Sequence, residues 1–141
     1  MYDERFVTPM RQELTRLGIE ELRTVTDVDT KLKDAKGTTL VVVNSVCGCA
    51  ARNARPAVAS ALQNAVKPDQ LTTVFAGQDI EATARVRSYF EGFPPSSPQV
   101  AILSNRKVLF MLQRHEIEGR TPGQIAAALT DAYQKLASPA A

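Results

Sequence analysis

The residues best suited to chemistry in this 141-residue chain are its two cysteines, Cys47 and Cys49, which are separated only by Gly48. A thiolate can attack a disulfide sulfur, and a second nearby thiol can then attack the mixed disulfide that forms. A Cys-Gly-Cys disulfide closes a very small ring, so we expect it to be strained and easily reduced. We expect Gly48 to let the backbone bend sharply between the two sulfurs. The pair therefore predicts thiol–disulfide exchange.

The sequence around the cysteines predicts a buried strand that turns directly into a helix. Residues 38–43 are mostly apolar or β-branched and follow Gly37, which is typical of a fully buried strand. The apolar residues that follow recur at helical spacing: Ala54, Ala57, Val58, Ala61, Leu62, Ala65 and Val66. The N–H groups at a helix start favour a thiolate over a thiol. We therefore expect Cys47 to be the nucleophile and Cys49 the resolving thiol.

Two other interpretations of the cysteines stay open at this point. They are either inert structural residues, since cysteine is commonly buried, or half of a metal site. A closed zinc site needs four Cys or His ligands, and the chain has two cysteines and one histidine. A metal or iron–sulfur site would therefore have to bridge two copies in a homodimer.

Several stretches of the chain together carry a resemblance to a known family: Val41–Ala51, Asn53–Ala57, Met1–Asp3, Pro95–Pro98 and Arg114–Arg120. On these residues the chain resembles the bacilliredoxins, small bacterial thioredoxin-like proteins with a Cys-Gly-Cys active site. The resemblance implies removal of bacillithiol from mixed disulfides on proteins. Some members carry a further cysteine near the C-terminus, where this chain has Leu136–Ala141 without one.

The order of the predicted elements agrees with that resemblance. We expect one α/β, thioredoxin-like domain over residues 1–141, with a central mixed sheet flanked by helices. A βαβ half comes first, and a β-hairpin and a C-terminal helix follow. The predicted strands are residues 19–23, 38–43, 71–76, 99–103 and 107–112.

The helix boundaries are predicted from capping residues. Thr8 and Pro9 indicate the start of a first helix, which Gly18 ends. Thr26 or Asp27 caps a second helix, and Asp79 caps a helix that runs toward Phe90. The last helix begins at Thr121, with Pro122 in its first turn and a capping box closed by Gln124.

The resemblance also predicts how a substrate is bound. Thioredoxin-like folds place a cis-proline just before the first hairpin strand, facing the cysteines. Pro98 is at that place, and Pro95 is the alternative. A cis bond there would present the Ser97 backbone to an incoming disulfide substrate. We therefore expect Gly48, Ser97 and Pro98 to bind substrate.

Three cations and the only histidine are further candidates near the site. Arg52, Arg55 and Arg120 either help to hold an anionic small thiol or lie on the solvated surface. His115 is interpreted as a structural or surface residue rather than a base, because a thiolate at a helix start does not require one.

Residues on both sides of the cysteines have two possible roles each. Asn44 and Ser45 either hydrogen-bond the turn or tune Cys47. Pro56 either kinks a helix that carries the cysteines or begins a helix that leaves them in a loop.

Composition limits the remaining functions. The formal charge of +2 leaves no electrostatic footprint for nucleic acid. No apolar run is long enough for a membrane span, and the N-terminus lacks the pattern of a signal peptide. We therefore expect a cytoplasmic protein, in which a close cysteine pair is more often catalytic than structural.

The expected partners follow from the resemblance. They are bacillithiolated or disulfide-bonded client proteins, with no bound cofactor and with bacillithiol or another low-molecular-weight thiol as co-substrate. We expect a monomer or a weak homodimer. A disulfide isomerase or weak oxidase that uses the same two sulfurs is the alternative enzyme.

Overall fold

The computed structural model describes residues 1–137. Of the Leu136–Ala141 tail, near which some bacilliredoxins carry a further cysteine, residues 138–141 lie outside the described residues. The elements in chain order are α1 (Glu4–Thr15), β1 (Glu20–Glu21), α2 (Val25–Leu32), β2 (Thr39–Asn44), a π-helical turn (Ala50–Ala54), α3 (Arg55–Ala61), β3 (Gln70–Phe75), α4 (Ile80–Ser88), β4 (Gln99–Ser104), β5 (Lys107–Leu112), α5 (Arg114–Glu118) and α6 (Pro122–Leu136).

The strands form one five-stranded mixed sheet in the order β1-β3-β2-β4-β5. Strands β1, β3 and β2 are parallel, whereas β4 and β5 form an antiparallel hairpin beside β2. Every residue of the central strand β2 is buried. Val43 near the end of β2 is paired with Gln99 at the start of β4. The loop after β2 and the loop before β4 therefore meet at one edge of the sheet.

Both faces of the sheet are covered by helices. Because side chains alternate along a strand, Leu40 and Val42 pack with α3 and α6, whereas Val41 and Val43 pack with α2 and α4. This arrangement confirms the predicted α/β class. Within residues 1–137, no helix has both the length and the apolar character required to cross a membrane.

Two predicted helix starts were wrong. Helix α1 begins at Glu4 rather than after Thr8, because Asp3 caps it by accepting the N–H of Arg5 at 2.8 Å. The additional turn buries Val7 completely, which outweighs the hydrogen bond that Pro9 cannot donate within the helix.

Helix α2 begins two or three residues earlier than predicted, because the sequence offered Thr26 or Asp27 as its cap. Its N-cap is Thr24, whose hydroxyl accepts the N–H of Asp27, and the Asp27 carboxylate accepts the N–H of Thr24 in return. Asp27 is thus the third helical residue of a capping box rather than the cap itself.

The C-terminal half largely confirms the predicted elements. Strand β5 has the predicted bounds, and α6 has Thr121 as its N-cap with the capping box to Gln124. Asn105 and Arg106 form the hairpin turn with φ values of 51° and 66°, which suits a two-residue turn of the primed type. The short helix α5 is an addition that the sequence had not predicted.

Candidate active site

The cysteines lie at the start of the helical segment that follows β2. The N–H groups of Ala50 and Ala51 donate to the carbonyl oxygen of Cys47 at 3.0 and 3.2 Å. Helical hydrogen bonding therefore begins at Cys47, and the N–H of Cys49 in the first turn donates to the Cys47 sulfur. Both cysteines are half-buried and in the free thiol form. The predicted position of the pair at a helix start is confirmed.

Pro56 lies where the π-helical turn meets α3. The N–H of Arg55 donates to the carbonyl of Ala50, five residues back, and this wider turn gives the proline ring room against the preceding backbone. The helical path runs from the cysteines through Pro56. The alternative in which the helix begins at Pro56 and leaves the cysteines in a loop was wrong.

The environment of Cys47 favours its ionised form. Burial acts to raise the pKa of Cys47, but hydrogen bonds from the N–H groups of Ala50 and Cys49 and from the Cys49 thiol outweigh burial. The Cys49 N–H lies 3.2 Å from the Cys47 sulfur. The positive charge of Arg114 adds to these effects, so the pKa of Cys47 is lowered.

The same environment favours the protonated form of Cys49. Burial, the hydrogen bond that its thiol donates to Cys47, and the negative charges of Cys47 and Glu118 raise the pKa of Cys49. The pKa values of the two thiols are thus shifted in opposite directions. This is the arrangement expected of a nucleophilic thiol and a protonated partner. This agrees with the roles expected for Cys47 and Cys49.

Gly48 does not serve as the sharp bend that we expected. It lies within the first helical turn and is not among the described glycines with positive φ. A Cβ added to Gly48 would lie 2.8 Å from Nη2 of Arg52. The exposed Arg52 guanidinium therefore lies directly over Gly48, in the space that a larger side chain would need.

Arg55 lies beneath the cysteine turn and is only 3% exposed. Its Nη1 donates to Oδ1 of Asn44 and to the carbonyl of Ser45, both at 2.9 Å. Its Nε lies 3.2 Å from Oε1 of Glu13 on α1. The sequence had assigned Arg55 either to a bound small thiol or to the solvated surface, and both alternatives were wrong. The side chain ties the end of β2 to α3.

Asn44 and Ser45 hydrogen-bond the turn, which was the first of their two predicted roles. The N–H of Ser45 donates to its neighbour Asn44 at Oδ1 over 2.9 Å, and the N–H of Cys47 donates to Oγ of Ser45 over 3.3 Å. The Asn44 amide also donates to the carbonyl of Met10 at 3.2 Å. The backbone of Cys47 is therefore held by buried side chains.

The Ser97–Pro98 peptide bond is cis, as predicted for Pro98 rather than for Pro95. Pro98 is buried and Ser97 is half-buried. Since β4 begins at Gln99, opposite Val43, this bond lies at the edge of the sheet where the cysteine turn is found. The structure thus brings the residues expected to bind substrate to the cysteine end of the sheet.

The combination of a Cys-Gly-Cys helix start and a cis-proline loop agrees with comparisons of the sequence. A family model described as disulphide isomerase matches residues 2–137. A bacilliredoxin of Bacillus licheniformis is 53% identical over 135 residues, covering 95% of this chain and 94% of the relative. The chain belongs to the bacilliredoxin family. A bacilliredoxin of Koribacter versatilis is also 53% identical, covering 96% of this chain and 93% of that relative.

Solved structures support the fold independently of close sequence similarity. A structure described as having a thioredoxin fold matches with a TM-score of 0.59 and 15% identity, covering 80% of this chain and 93% of that one. The thioredoxin-like domain of an Arabidopsis protein, nuclear control of PEP activity, matches with a TM-score of 0.59 and 17% identity, covering 86% and 80%. The fold is thioredoxin-like, and this bacilliredoxin-family chain is a thiol–disulfide oxidoreductase.

Arg114 is a cation near the active site that sequence reasoning missed. It begins α5, and its pKa is raised chiefly by the negative charges of Cys47 and Glu118. Its Nη1 lies 3.4 Å from the carbonyl oxygen of Ser97. Arg114 therefore connects Cys47 with the loop that carries the cis-proline. The available signal was its place in the Arg114–Arg120 stretch that resembles the family.

Asn53 fixes α5 beside the cysteine helix. Its amide donates to the carbonyls of Ile117 and Arg120 at 3.0 and 3.1 Å. Arg120 thus contributes a backbone acceptor to the site's framework. His115, also on α5, is 80% exposed, in keeping with the surface role expected for it.

Residues 1–137 contain no group of three or more His, Cys, Asp or Glu side chains placed to hold a metal ion.

Proposed function

We propose that this oxidoreductase removes low-molecular-weight thiols, bacillithiol first among them, from mixed disulfides on cytoplasmic client proteins. The observation that carries the proposal is that the pKa values of the two thiols are shifted in opposite directions. The pKa of Cys47 is lowered and that of Cys49 is raised within one helical turn. The choice of bacillithiol is supported by relatives that are named bacilliredoxins.

The reaction begins with Cys47 as a thiolate. It attacks the bacillithiol sulfur of the mixed disulfide, that disulfide breaks, and the client leaves as a thiolate that takes up a proton. The client is thereby reduced, and Cys47 carries bacillithiol as a new mixed disulfide. Because the lowered pKa of Cys47 favours its thiolate, this step needs no separate base.

Cys49 completes the cycle. Once deprotonated, its sulfur attacks the Cys47 sulfur, bacillithiol leaves as a thiolate, and a Cys47–Cys49 disulfide remains. A dithiol reductant then donates two electrons and restores both thiols. Where the short Cys-Gly-Cys tether makes ring closure slow, a second bacillithiol attacks the bacillithiol sulfur of the adduct instead. Cys47 then leaves as a thiolate, and symmetrical bacillithiol disulfide is released.

Client binding is assigned to Gly48, Ser97 and Pro98. An extended client segment pairs with the Ser97 backbone, and Gly48 adds no side chain that would block the client's disulfide from Cys47. We propose that residues 1–141 act as one domain, as a monomer or weak homodimer, without a bound cofactor. Nucleic acid and membrane are not among the proposed partners.

The decisive experiment uses a Cys49→Ala variant and a bacillithiolated client protein. Intact mass spectrometry should find the bacillithiol adduct on Cys47 and the client in its reduced form. A Cys47→Ala variant is the matched control and should leave the client modified. An unmodified Cys47 beside an untouched client would exclude the de-thiolation proposal.

A second candidate function is favoured by the description of the matching family model, which is disulphide isomerase. An isomerase attacks a protein disulfide with Cys47 and resolves it within the client, with no net redox change. Refolding of a client with scrambled disulfides distinguishes the two functions. An isomerase restores native pairing in the Cys49→Ala variant, whereas a dedicated de-thiolation enzyme acts only on the client's small-thiol adduct.

A further inference from the structure

The loop before β4 is unusually poor in backbone donors. Residues 93–98, here called the docking loop, include Pro94, Pro95 and the cis-linked Pro98, none of which has an N–H group. Such a loop cannot hold its own shape with backbone hydrogen bonds. Its carbonyl groups must be satisfied by water or by side chains from elsewhere in the fold.

Two buried glutamine side chains form hydrogen bonds with polar groups of the docking loop. Gln99 is fully buried at 0% exposure and donates to Oε1 of Gln113 at 2.7 Å. Gln113 donates to the carbonyl of Pro94 at 3.0 Å and accepts the hydroxyl of Ser96 at 2.8 Å. The Gln113 amide thus joins β4, the end of β5 and the docking loop in one hydrogen-bonded network.

Arg87 holds the same loop from helix α4. Its Nη2 donates to the carbonyl of Ser96 at 2.8 Å, and its Nε lies 3.4 Å from Oε1 of Gln99. Burial lowers the pKa of Arg87. Within residues 1–137 no carboxylate forms an ion pair with Arg87, so its charge is directed at the loop and the glutamine network.

The network also reaches the active-site side of the loop. The Ser96 hydroxyl, which donates to Gln113, accepts the N–H of Arg114 at 3.2 Å. The hydrogen bonds given above contact neither sulfur. Buried polar networks of this kind fix a single local geometry when every member is satisfied.

We propose that Gln99, Gln113 and Arg87 are positioning residues that fix the docking loop for client binding. The inference rests on the proposed function, in which the Ser97 backbone receives the client. Since these side chains contact the loop and not the sulfurs, they act on the binding of a protein client. Reaction of Cys47 with a small disulfide does not use the loop and does not depend on them.

The test compares Gln113→Leu with wild type in two assays. We expect KM for a bacillithiolated protein client to rise at least about fivefold, because buried polar groups of the loop lose their partners. We expect kcat, and the rate with a small aromatic disulfide, to stay at wild-type values. Arg87→Met provides a second variant with the same expected pattern, should Gln113→Leu fail to fold.

The matched control is Gln70→Leu, which makes the same substitution at the opposite end of the sheet. Gln70 donates to the carbonyl of Lys31 and to the hydroxyl of Thr39 at 3.1 and 3.0 Å. Its variant should keep the wild-type KM.

The outcomes separate this inference from the function on which it rests. If wild type acts on the client and the folded Gln113→Leu and Arg87→Met variants keep its KM, the positioning role is refuted. If both substrates are affected equally, the network acts on the cysteine turn and the inference is likewise refuted. If wild type itself leaves the client untouched, the proposed function fails.

Discussion

The buried guanidinium beneath the cysteine turn gives the sharpest test of how the fold holds its active site. Replacing Arg55 by methionine keeps a long buried side chain but removes the charge and its donors. The wild-type guanidinium makes two hydrogen bonds of 2.9 Å, to Oδ1 of Asn44 and to the carbonyl of Ser45. Both acceptors stay buried in the variant.

The expected loss of stability follows from those contacts. A hydrogen bond from a charged donor contributes about 1.5–3 kcal/mol. Part of this loss is compensated. Asn44 still accepts the N–H of Ser45, and Glu13 is 46% exposed, so that water solvates its carboxylate in the variant. Burial of the apolar methionine side chain offsets a further part of the lost stability. We therefore expect Arg55→Met to lower the free energy of unfolding by about 2–3 kcal/mol.

Urea denaturation of the reduced protein measures this change. Arg52→Met is the matched control, because Arg52 lies on the same helical segment but is exposed. Its free energy of unfolding should change by no more than about 0.5 kcal/mol. The reasoning is refuted if Arg55→Met is as stable as wild type, or if Arg52→Met loses as much.

Three further predictions concern other buried or charged groups. Tyr133→Phe should raise the free energy of unfolding by about 1 kcal/mol, measured by urea denaturation, because the buried Tyr133 hydroxyl has no hydrogen-bond partner within residues 1–137. Arg114→Gln should raise the pKa of Cys47 and move its alkylation profile to higher pH, since a stabilising positive charge is lost. Glu4→Gln should be less stable than wild type at neutral pH but approach it as pH falls below about 4. Hydrogen bonds from Arg11 and Gln78 lower the folded-state pKa of Glu4, so its stabilising effect is present above the unfolded-state pKa and is lost on acidification.

Matched variants sharpen these three predictions. Tyr89→Phe should be destabilising, because the Tyr89 hydroxyl donates to Asp29 at 2.7 Å. Lys135→Gln is the control for Arg114→Gln. It removes an exposed charge on α6 and should leave the pH profile of Cys47 alkylation unchanged. A Glu4→Gln difference that persists unchanged through low pH would contradict the proposed ionic origin.

The elements that sequence reasoning predicted well are those with local signals. Strand β2 is buried on both faces and therefore reads as a continuous apolar run. Helix α6 carries its own capping box at Thr121 and Gln124. The position of Cys47 followed because a strand signal and a helix signal meet there.

The elements that sequence reasoning missed depend on contacts between distant residues. Arg55 gives no local sign of burial, since its partners include Glu13 on another helix. Arg114 lies near Cys47 because α5 is anchored to the cysteine helix by Asn53. The Gln99–Gln113 pair likewise depends on the pairing of β4 with β5.

The most direct test of the central claim is the pH dependence of alkylation at each sulfur of the reduced wild-type protein, resolved by peptide mass spectrometry. We expect Cys47 to react first, with a midpoint below the value of about 8.5 for free cysteine, and Cys49 to titrate above it. If Cys49 reacts first, or if Cys47 titrates no lower than a free thiol, the proposed nucleophile is contradicted.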